Sequence, residues 1–257
     1  MPLPRSLQRL VLQPHQIQSQ SIELTPEQQH YLCRVLRLGQ GEQFIALDGI
    51  GHWWLAQLQS GLTKAIVLSE ISASTELAIG VSISIAMPKG TGMEDIIRQV
   101  TQLGANRIVP LWSDRTVIRS GTELGKQKLD RWQRIAQEAS EQSLRQFVPE
   151  ITPPQVFQAA IQHPSQSPPH HKFICVTHTA PHLLTCLQQQ DLGGEISIVT
   201  GPEGGWTEAE EQASIEQNWQ PVSLGDRILA AVTAPVVALS IVAAVIQTRN
   251  PILNSSL

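Results

Sequence analysis

As far as about residue 75, apolar positions come in short runs broken by turn residues. Arg9–Leu12, Ser21–Leu24, Glu42–Leu47, His52–Gln59 and Lys64–Ile71 read as strands, with turns at Asp48-Gly49 and Ser60-Gly61. Only Pro26–Leu36 has helical spacing, and Thr25 is placed to cap it. Residues 1–75 are therefore expected to form a small β-rich domain closed as a barrel, followed by a polar link at Ser72–Glu76.

After the link the period changes. Val81, Ile83, Ile85 and Met87 alternate with smaller residues as a strand does, and Met93, Ile96, Ile97, Val100 and Leu103 then share one helical face that Gly104 ends. Arg107–Leu111 reads as a strand and Lys126–Ser143 as a long helix with Leu129, Trp132, Ile135, Ala136 and Ala139 inward. Phe147–Ile151, a helix from Pro154, a Pro/Ser/His linker at Pro164–His171, and strands at Lys172–Val176, Glu195–Thr200 and Pro221–Leu224 complete the series. Strands alternating with helices over residues 76–257 predict an α/β domain, its mostly parallel sheet covered by helices on both faces.

Leu229 to Ile246 is almost wholly apolar. Thr233 and Pro235 read as the cap and first turn of a helix, which leaves about 20 Å of helix against a hydrocarbon core of about 30 Å. The segment is expected to be buried on all sides, in the core or at a subunit interface, and not to span a membrane. Cys33, Cys175 and Cys186 form no CxxC pair, so neither a metal site nor a disulfide framework is expected. That usage, and a start without a charged-then-apolar leader, point to the cytoplasm.

The net charge of −4 gives no hint of nucleic acid, but its distribution does. Between Arg107 and Arg134, Arg107, Arg115, Arg119, Lys126, Lys128, Arg131 and Arg134 face only Asp114, Glu123 and Asp130. Such a run is either a solvated face or a row of phosphate contacts.

Ile198 to Trp206, IVTGPEGGW, places a Gly-rich turn at a strand end, where open α/β sheets bind ligands. It is not a Walker loop, because no Lys follows, nor a dinucleotide turn of GxGxxG form. Pro202 removes a donor, Glu203 adds negative charge, and Thr207 with Glu210 forms a capping box that occupies the helix start, so phosphate is disfavoured. The glycines can bring backbone groups close to a flat neutral base while Glu203 faces a cation. A connection that binds nothing is the alternative. LGDRIL, Leu224 to Leu229, follows the next strand in the same way and would lie beside it.

HYLCRVLRL (30–38), DGIG (48–51), PKGTGMEDIIRQVTQLGANRIVPL (88–111), EASEQSLRQFVPEI (138–151), IVTGPEGGWTEAE (198–210) and LGDRIL (224–229) run in order over nearly the whole chain. In these pieces the chain resembles the bacterial 16S rRNA uridine-N3 methyltransferases of the RsmE type, in the SPOUT class of S-adenosylmethionine enzymes. The resemblance implies a PUA-like β-barrel ahead of a SPOUT domain with a deep trefoil knot, paired as a homodimer through the knot region. It implies S-adenosylmethionine held by Val176, Thr177 and His178, by Thr200, Gly201, Glu203, Gly204 and Gly205, and by Leu224, Gly225, Ile228, Leu229 and Ala234. The partner implied is 16S rRNA or the small ribosomal subunit, with Arg9, Arg34, Arg37, Lys89, Arg115, Arg119, Lys126 and Lys128 as RNA contacts.

The chain departs from the family after LGDRIL, where Ala230-Ala231-Val232-Thr233-Ala234 stands for the usual Arg-Thr-Glu-Thr-Ala. Gln102 also replaces a usual Glu. With that arginine missing, Arg227 is the first candidate for the cation that stabilises the reacting uracil and Arg145 the second; either can instead be a structural arginine bonding loop carbonyls. No histidine or carboxylate is marked as an obligatory base. A non-catalytic RNA-binding or ribosome-assembly protein of the same fold is the alternative function.

Overall fold

The computed structural model describes residues 7–71, 75–116, 126–162 and 170–249. Arg119 and most of the two expected linkers, Ser72–Ser74 and Pro164–Pro169, lie outside them. The chain divides into two compact units: Met1–Glu76 with Ser140–Val148, and Leu77–Ala139 with Pro149–Ile252. The division near residue 76 was expected; the return of Ser140–Val148 to the first unit was not.

The first unit holds β1 (Arg9–Val11), β2 (Ile17–Gln18), β3 (Ser21–Glu23), α1 (Pro26–His30), β4 (Gln43–Leu47), β5 (Trp53–Leu58) and β6 (Lys64–Ile71). They form one sheet in the order β1-β4-β5-β6-β3-β2, in which only β1 and β4 pair in parallel. The sheet curls into a half-barrel, and among the described residues no pairing joins β1 to β2. Thr25 caps α1 in a capping box with Gln28, as its spacing predicts, and the expected continuation is a π-helical turn, Tyr31–Val35.

One sheet face buries Leu10, Leu12, Ile22, Phe44, Ala46 and Leu58. The continuous apolar run Phe44-Ile45-Ala46-Leu47 demands cover on the other face too, because neighbouring side chains point to opposite sides. There Val11, Ile45, Leu47 and Trp53 pack with Leu144 and Val148 from the returning segment. Leu144 has the left-handed conformation (φ 63°) usually reserved for glycine after a helix, and the Arg145 amide donates to the Ser140 carbonyl (3.0 Å). Glu141 Oε1 accepts the Val11 amide (2.8 Å), and the Val148 amide donates to the Gly49 carbonyl (2.9 Å). The Phe147 ring lies so close over Gly51 that a Cβ there would stand 2.9 Å from it.

Arg145 belongs to this packing. It is 4% exposed, and its Nε (3.1 Å) and Nη2 donate to the Glu76 carboxylate, which also accepts the amides of Gln146 and Phe147 (2.8 and 3.3 Å). A guanidinium committed to a buried carboxylate holds the segment in place, which favours the structural of the two roles expected for Arg145 over the catalytic one.

The second unit contains β7 (Gly80–Ala86), α2 (Gly92–Gln102), β8 (Arg107–Trp112), β9 (Glu150–Ile151), β10 (Gln155–Val156), α4 (Phe157–Ile161), β11 (His170–Cys175), α5 (Leu183–Gln189), β12 (Glu195–Thr200), α6 (Glu208–Glu216), β13 (Gln220–Val222) and α7 (Ala234–Arg249), with most of α3 (Lys126–Ser143). All its strands are parallel, in the order β10-β8-β7-β12-β11-β13, with β9 also on the edge of β8. The helix expected from Pro154 begins three residues later, because Gln155 and Val156 first pair with Leu111 and Trp112.

Helices α2, α5 and α7 pack together, and α4 and α6 pack together over a core of Val109, Leu111, Phe157, Ile161, Val199, Trp206 and Trp219. Cover on both faces explains why Ser82 and Ser84 are buried although they alternate with Ile83 and Ile85. Within the single chain helix α7 is covered on one side: Ala238, Leu239, Val242 and Ile246 are buried, whereas Ser240 and Ala244 are exposed and Val236, Val237 and Ile241 half-buried, which leaves of the two expected covers the subunit interface for its outer side. No helix among the described residues is long and apolar enough to cross a membrane.

Candidate functional site

The carboxyl ends of β12, β11 and β13, neighbours in the sheet, open into one cavity of about 650 Å³ within the second unit. Three loops make its walls. Cys175–Thr177 leaves β11 with the Val176 amide bonded to the Val222 carbonyl (2.9 Å). Gly201–Trp206 leaves β12, and Leu224–Ala231 leaves β13, with Ala234 at the start of α7.

The Gly201–Trp206 loop is a tight turn closed by the Gly205 amide on the Pro202 carbonyl (2.9 Å), and Gly205 has φ 70°. Its far end is anchored by Trp206, whose Nε1 donates to the Cys175 carbonyl (2.9 Å) and whose ring packs on Phe157 at 4.9 Å between centroids. A Cβ at Gly201 would stand 3.1 Å from the Trp206 indole, so that position must stay small. Glu203 Oε1 accepts the Lys89 amide (3.1 Å).

The capping box forms as the sequence predicts. Glu210, fully buried, accepts the Thr207 amide (2.8 Å) through Oε2, and its own amide donates to Thr207 Oγ1 (3.2 Å). The start of α6 is thereby filled by its own side chains.

In the third loop, Ser223 Oγ bonds both the amide and the carbonyl of Gly225 (3.1 Å each), fixing a glycine at φ 124°. Beyond it Asp226 and Arg227 are exposed and Ile228 is 82% exposed. Arg227 lines the cavity and has no hydrogen bond or ion pair among the described residues.

Of the expected cofactor residues, Val176, Thr177, Gly201, Glu203, Gly204, Gly205, Leu224, Gly225, Ile228, Leu229 and Ala234 line the cavity. Thr200 and His178 do not. Thr200 is fully buried at the end of β12. His178 instead pairs through Nε2 with Glu211 Oε2 (2.7 Å), and that carboxylate, which does line the cavity, raises the histidine's pKa. Glu211, Trp206 and Cys175 are wall residues the sequence did not single out. Burial pushes the Cys175 thiol up to about 12, which leaves it an inert part of the wall.

The expected RNA contacts fare unevenly. Arg34 and Arg37 are exposed without partners among the described residues, and the Lys89 and Lys126 side chains are also free there. Arg9 is half-buried, with Nη1 on the Leu7 carbonyl (3.0 Å) and its pKa lowered by burial. Lys128 lies over the Trp132 ring at 5.4 Å. Within the basic run, Arg107 pairs with Glu150 (3.3 Å) and Arg131 with Glu94 (2.7 Å). Arg115 reaches into the cavity wall, its Nη1 donating to the Gly204 and Trp206 carbonyls (2.9 and 3.1 Å). Much of the run is thus spent on the protein itself.

Comparison with known proteins fits this architecture. The RNA methyltransferase domain family matches residues 75–243, and the RNA methyltransferase PUA domain family matches residues 24–70. Ribosomal RNA small subunit methyltransferase E of Synechocystis is 44% identical over 93% of this chain and 78% of its own, and that of Bacillus subtilis is 32% identical over 86% and 88%. The crystal structure of the Neisseria gonorrhoeae methyltransferase E bound to S-adenosyl methionine superposes with a TM-score of 0.81 at 30% identity, covering 95% of this chain and 98% of that one. With a PUA-like sheet, a parallel α/β domain and these relatives along nearly its whole length, the chain belongs to the ribosomal RNA small subunit methyltransferase E family.

Proposed function

We propose that this chain methylates N3 of a uridine in the 16S rRNA of the small ribosomal subunit, using S-adenosylmethionine and working as a cytoplasmic homodimer. The observation that carries the reading is the three-loop cavity. Its volume lies within the roughly 300–1,000 Å³ of small-molecule sites. Its walls are largely backbone turns and apolar side chains, suited to a flat adenine. Glu203, Glu211 and Asp226 supply negative charge to suit the cofactor's ammonium and sulfonium groups, and the filled α6 N-terminus leaves no place for phosphate. The residues present therefore fit the cofactor. Once bound, it supplies an electrophilic methyl group.

The remaining work falls to the chain's own residues. N3 lies on the Watson–Crick edge, so the base has to be unpaired or flipped out to reach the cavity mouth. Losing the N3 proton puts negative charge on the flanking carbonyl oxygens, and a cation there lowers the barrier. Arg227 is that cation. It lines the cavity, is exposed and bonds nothing else among the described residues, whereas Arg115 and Arg145 are both committed to protein acceptors. Ala230 supplies no charge, and water takes the proton.

Arg34, Arg37, Lys89 and Lys126 hold rRNA phosphates. In the dimer a second copy covers Ile228, Val232 and the outer side of α7, and the passage from β13 through Thr233 into α7 forms the knotted part. The test is single-turnover methyl transfer to small subunits, with the modified base mapped. Arg227→Ala should lower the rate about 10²- to 10³-fold with cofactor affinity nearly unchanged. A parent protein that binds rRNA without transferring methyl would favour the ribosome-assembly reading.

A further inference from the structure

The turn that ends β8 grips the glycine loop. Ser113–Thr116 is itself fixed, with the Thr116 amide on the Ser113 carbonyl (3.0 Å) and the Ser113 amide on Thr116 Oγ1 (3.0 Å). From it the Asp114 amide donates to Glu210 Oε1 (2.9 Å), and Asp114 Oδ2 accepts the Thr207 hydroxyl (3.3 Å). Arg115 reaches the middle of the loop through its two carbonyl bonds. Its aliphatic stem lies flat on Gly204, where a Cβ would come 3.2 Å from Arg115 Cβ and 3.4 Å from Cδ. The glycine and the arginine therefore explain each other.

We propose that Arg115 is a positioning residue that holds the Gly201–Trp206 loop in its cofactor-receiving shape. The inference rests on the reading of this cavity as the S-adenosylmethionine site. A turn with three glycines loses much conformational freedom when ordered, and an unclamped loop would meet that cost on binding. Charge-assisted bonds from one guanidinium to two carbonyls settle it in advance. This use of Arg115 competes with the phosphate contact expected from its place in the basic run.

Calorimetry with S-adenosylmethionine, without RNA, tests it. Arg115→Ala should bind about ten- to a hundredfold more weakly, Arg115→Lys should recover part of it, and in methyl transfer the loss should appear in the cofactor KM rather than kcat. Gly204→Ala should weaken binding in the parent by displacing the stem, yet add little in an Arg115→Gly background, where the Cβ it would meet is gone as well. In the cofactor-free protein, Arg115→Ala should speed hydrogen exchange of the Gly205 amide, which bonds Pro202. Unchanged exchange, or affinity equal to that of a parent that binds, overturns the proposal. So does a mutant that keeps cofactor affinity but reduces the salt slope of rRNA binding by about one, which marks a phosphate contact. A parent that binds no S-adenosylmethionine would instead overturn the reading of the cavity, while the exchange rates still judge the clamp.

Discussion

Glu76→Ala offers a sharp test of the returning segment. The mutation removes the carboxylate from a guanidinium whose side chain is 3% exposed, and it strips the Gln146 and Phe147 amides of their acceptor. Breaking a buried ion pair from one side costs about 3–5 kcal/mol, because the remaining charge is left without a partner. The Gln146 amide adds about 1 kcal/mol where water cannot replace the acceptor and the exposed Phe147 amide adds little, so a total near 5 kcal/mol is expected for the first unit. Urea unfolding followed by tryptophan fluorescence would report it. With a slope of about 2 kcal/mol/M, the midpoint of the transition that includes Trp53 should fall by about 2.5 M. A double mutant, Glu76→Leu with Arg145→Met, should be less destabilised than Glu76→Ala, since neither charge is then stranded. If Glu76→Ala lies within 1 kcal/mol of the parent, or the double mutant is the worse of the two, the structural assignment of Arg145 fails.

Gly201→Ala should press a methyl group against the Trp206 indole, costing about 1–3 kcal/mol of stability and weakening cofactor binding; a thermal melt and calorimetry unchanged from the parent would refute it. Glu211 raises the pKa of His178, so the pair's contribution is full below the ordinary histidine value near 6.5 and is lost as pH rises through the raised folded-state value. His178→Ala should therefore lower the melting temperature at pH 6 but not at pH 9, and an equal difference at both would dismiss the pair. Light scattering should give about twice the 28.2 kDa chain mass at micromolar concentration, and a folded monomer there would remove the dimer from the proposed function.

The cavity was legible in the sequence wherever its chemistry is backbone chemistry. Glycine at a strand end, as at Gly201, Gly205 and Gly225, advertises a conformation or a close approach that other residues resist. The Thr207–Glu210 capping box was legible for a similar reason, since both partners sit within one helical turn. The bonds that Arg145 and Arg115 make were not legible because their acceptors lie far off in the chain, the Glu76 carboxylate 69 residues away and the Gly204 carbonyl 89. Nothing local to an arginine distinguishes a solvated one from one bonded to a distant acceptor. Which side of α7 faces its own chain was hidden differently: small and apolar residues on every side give no period from which to choose that face. The pairing of Gln155 and Val156 was missed because two residues are too few to establish any alternation.

The returning segment also has a consequence for the order of events during synthesis. Glu76 and Arg145 must both leave the ribosome before the first unit can complete its outer layer. At about 5–20 residues per second, 69 residues take about 3–14 s, during which Val11, Ile45, Leu47 and Trp53 await Leu144 and Val148. The N-terminal sheet is thus first in sequence but cannot be finished first. A fragment ending at residue 76 would share that unfinished state permanently, with a bare apolar face and an unpaired carboxylate. Excising the first unit as a soluble piece requires grafting 140–148 back onto it, so the PUA-like sheet is no detachable module of this chain.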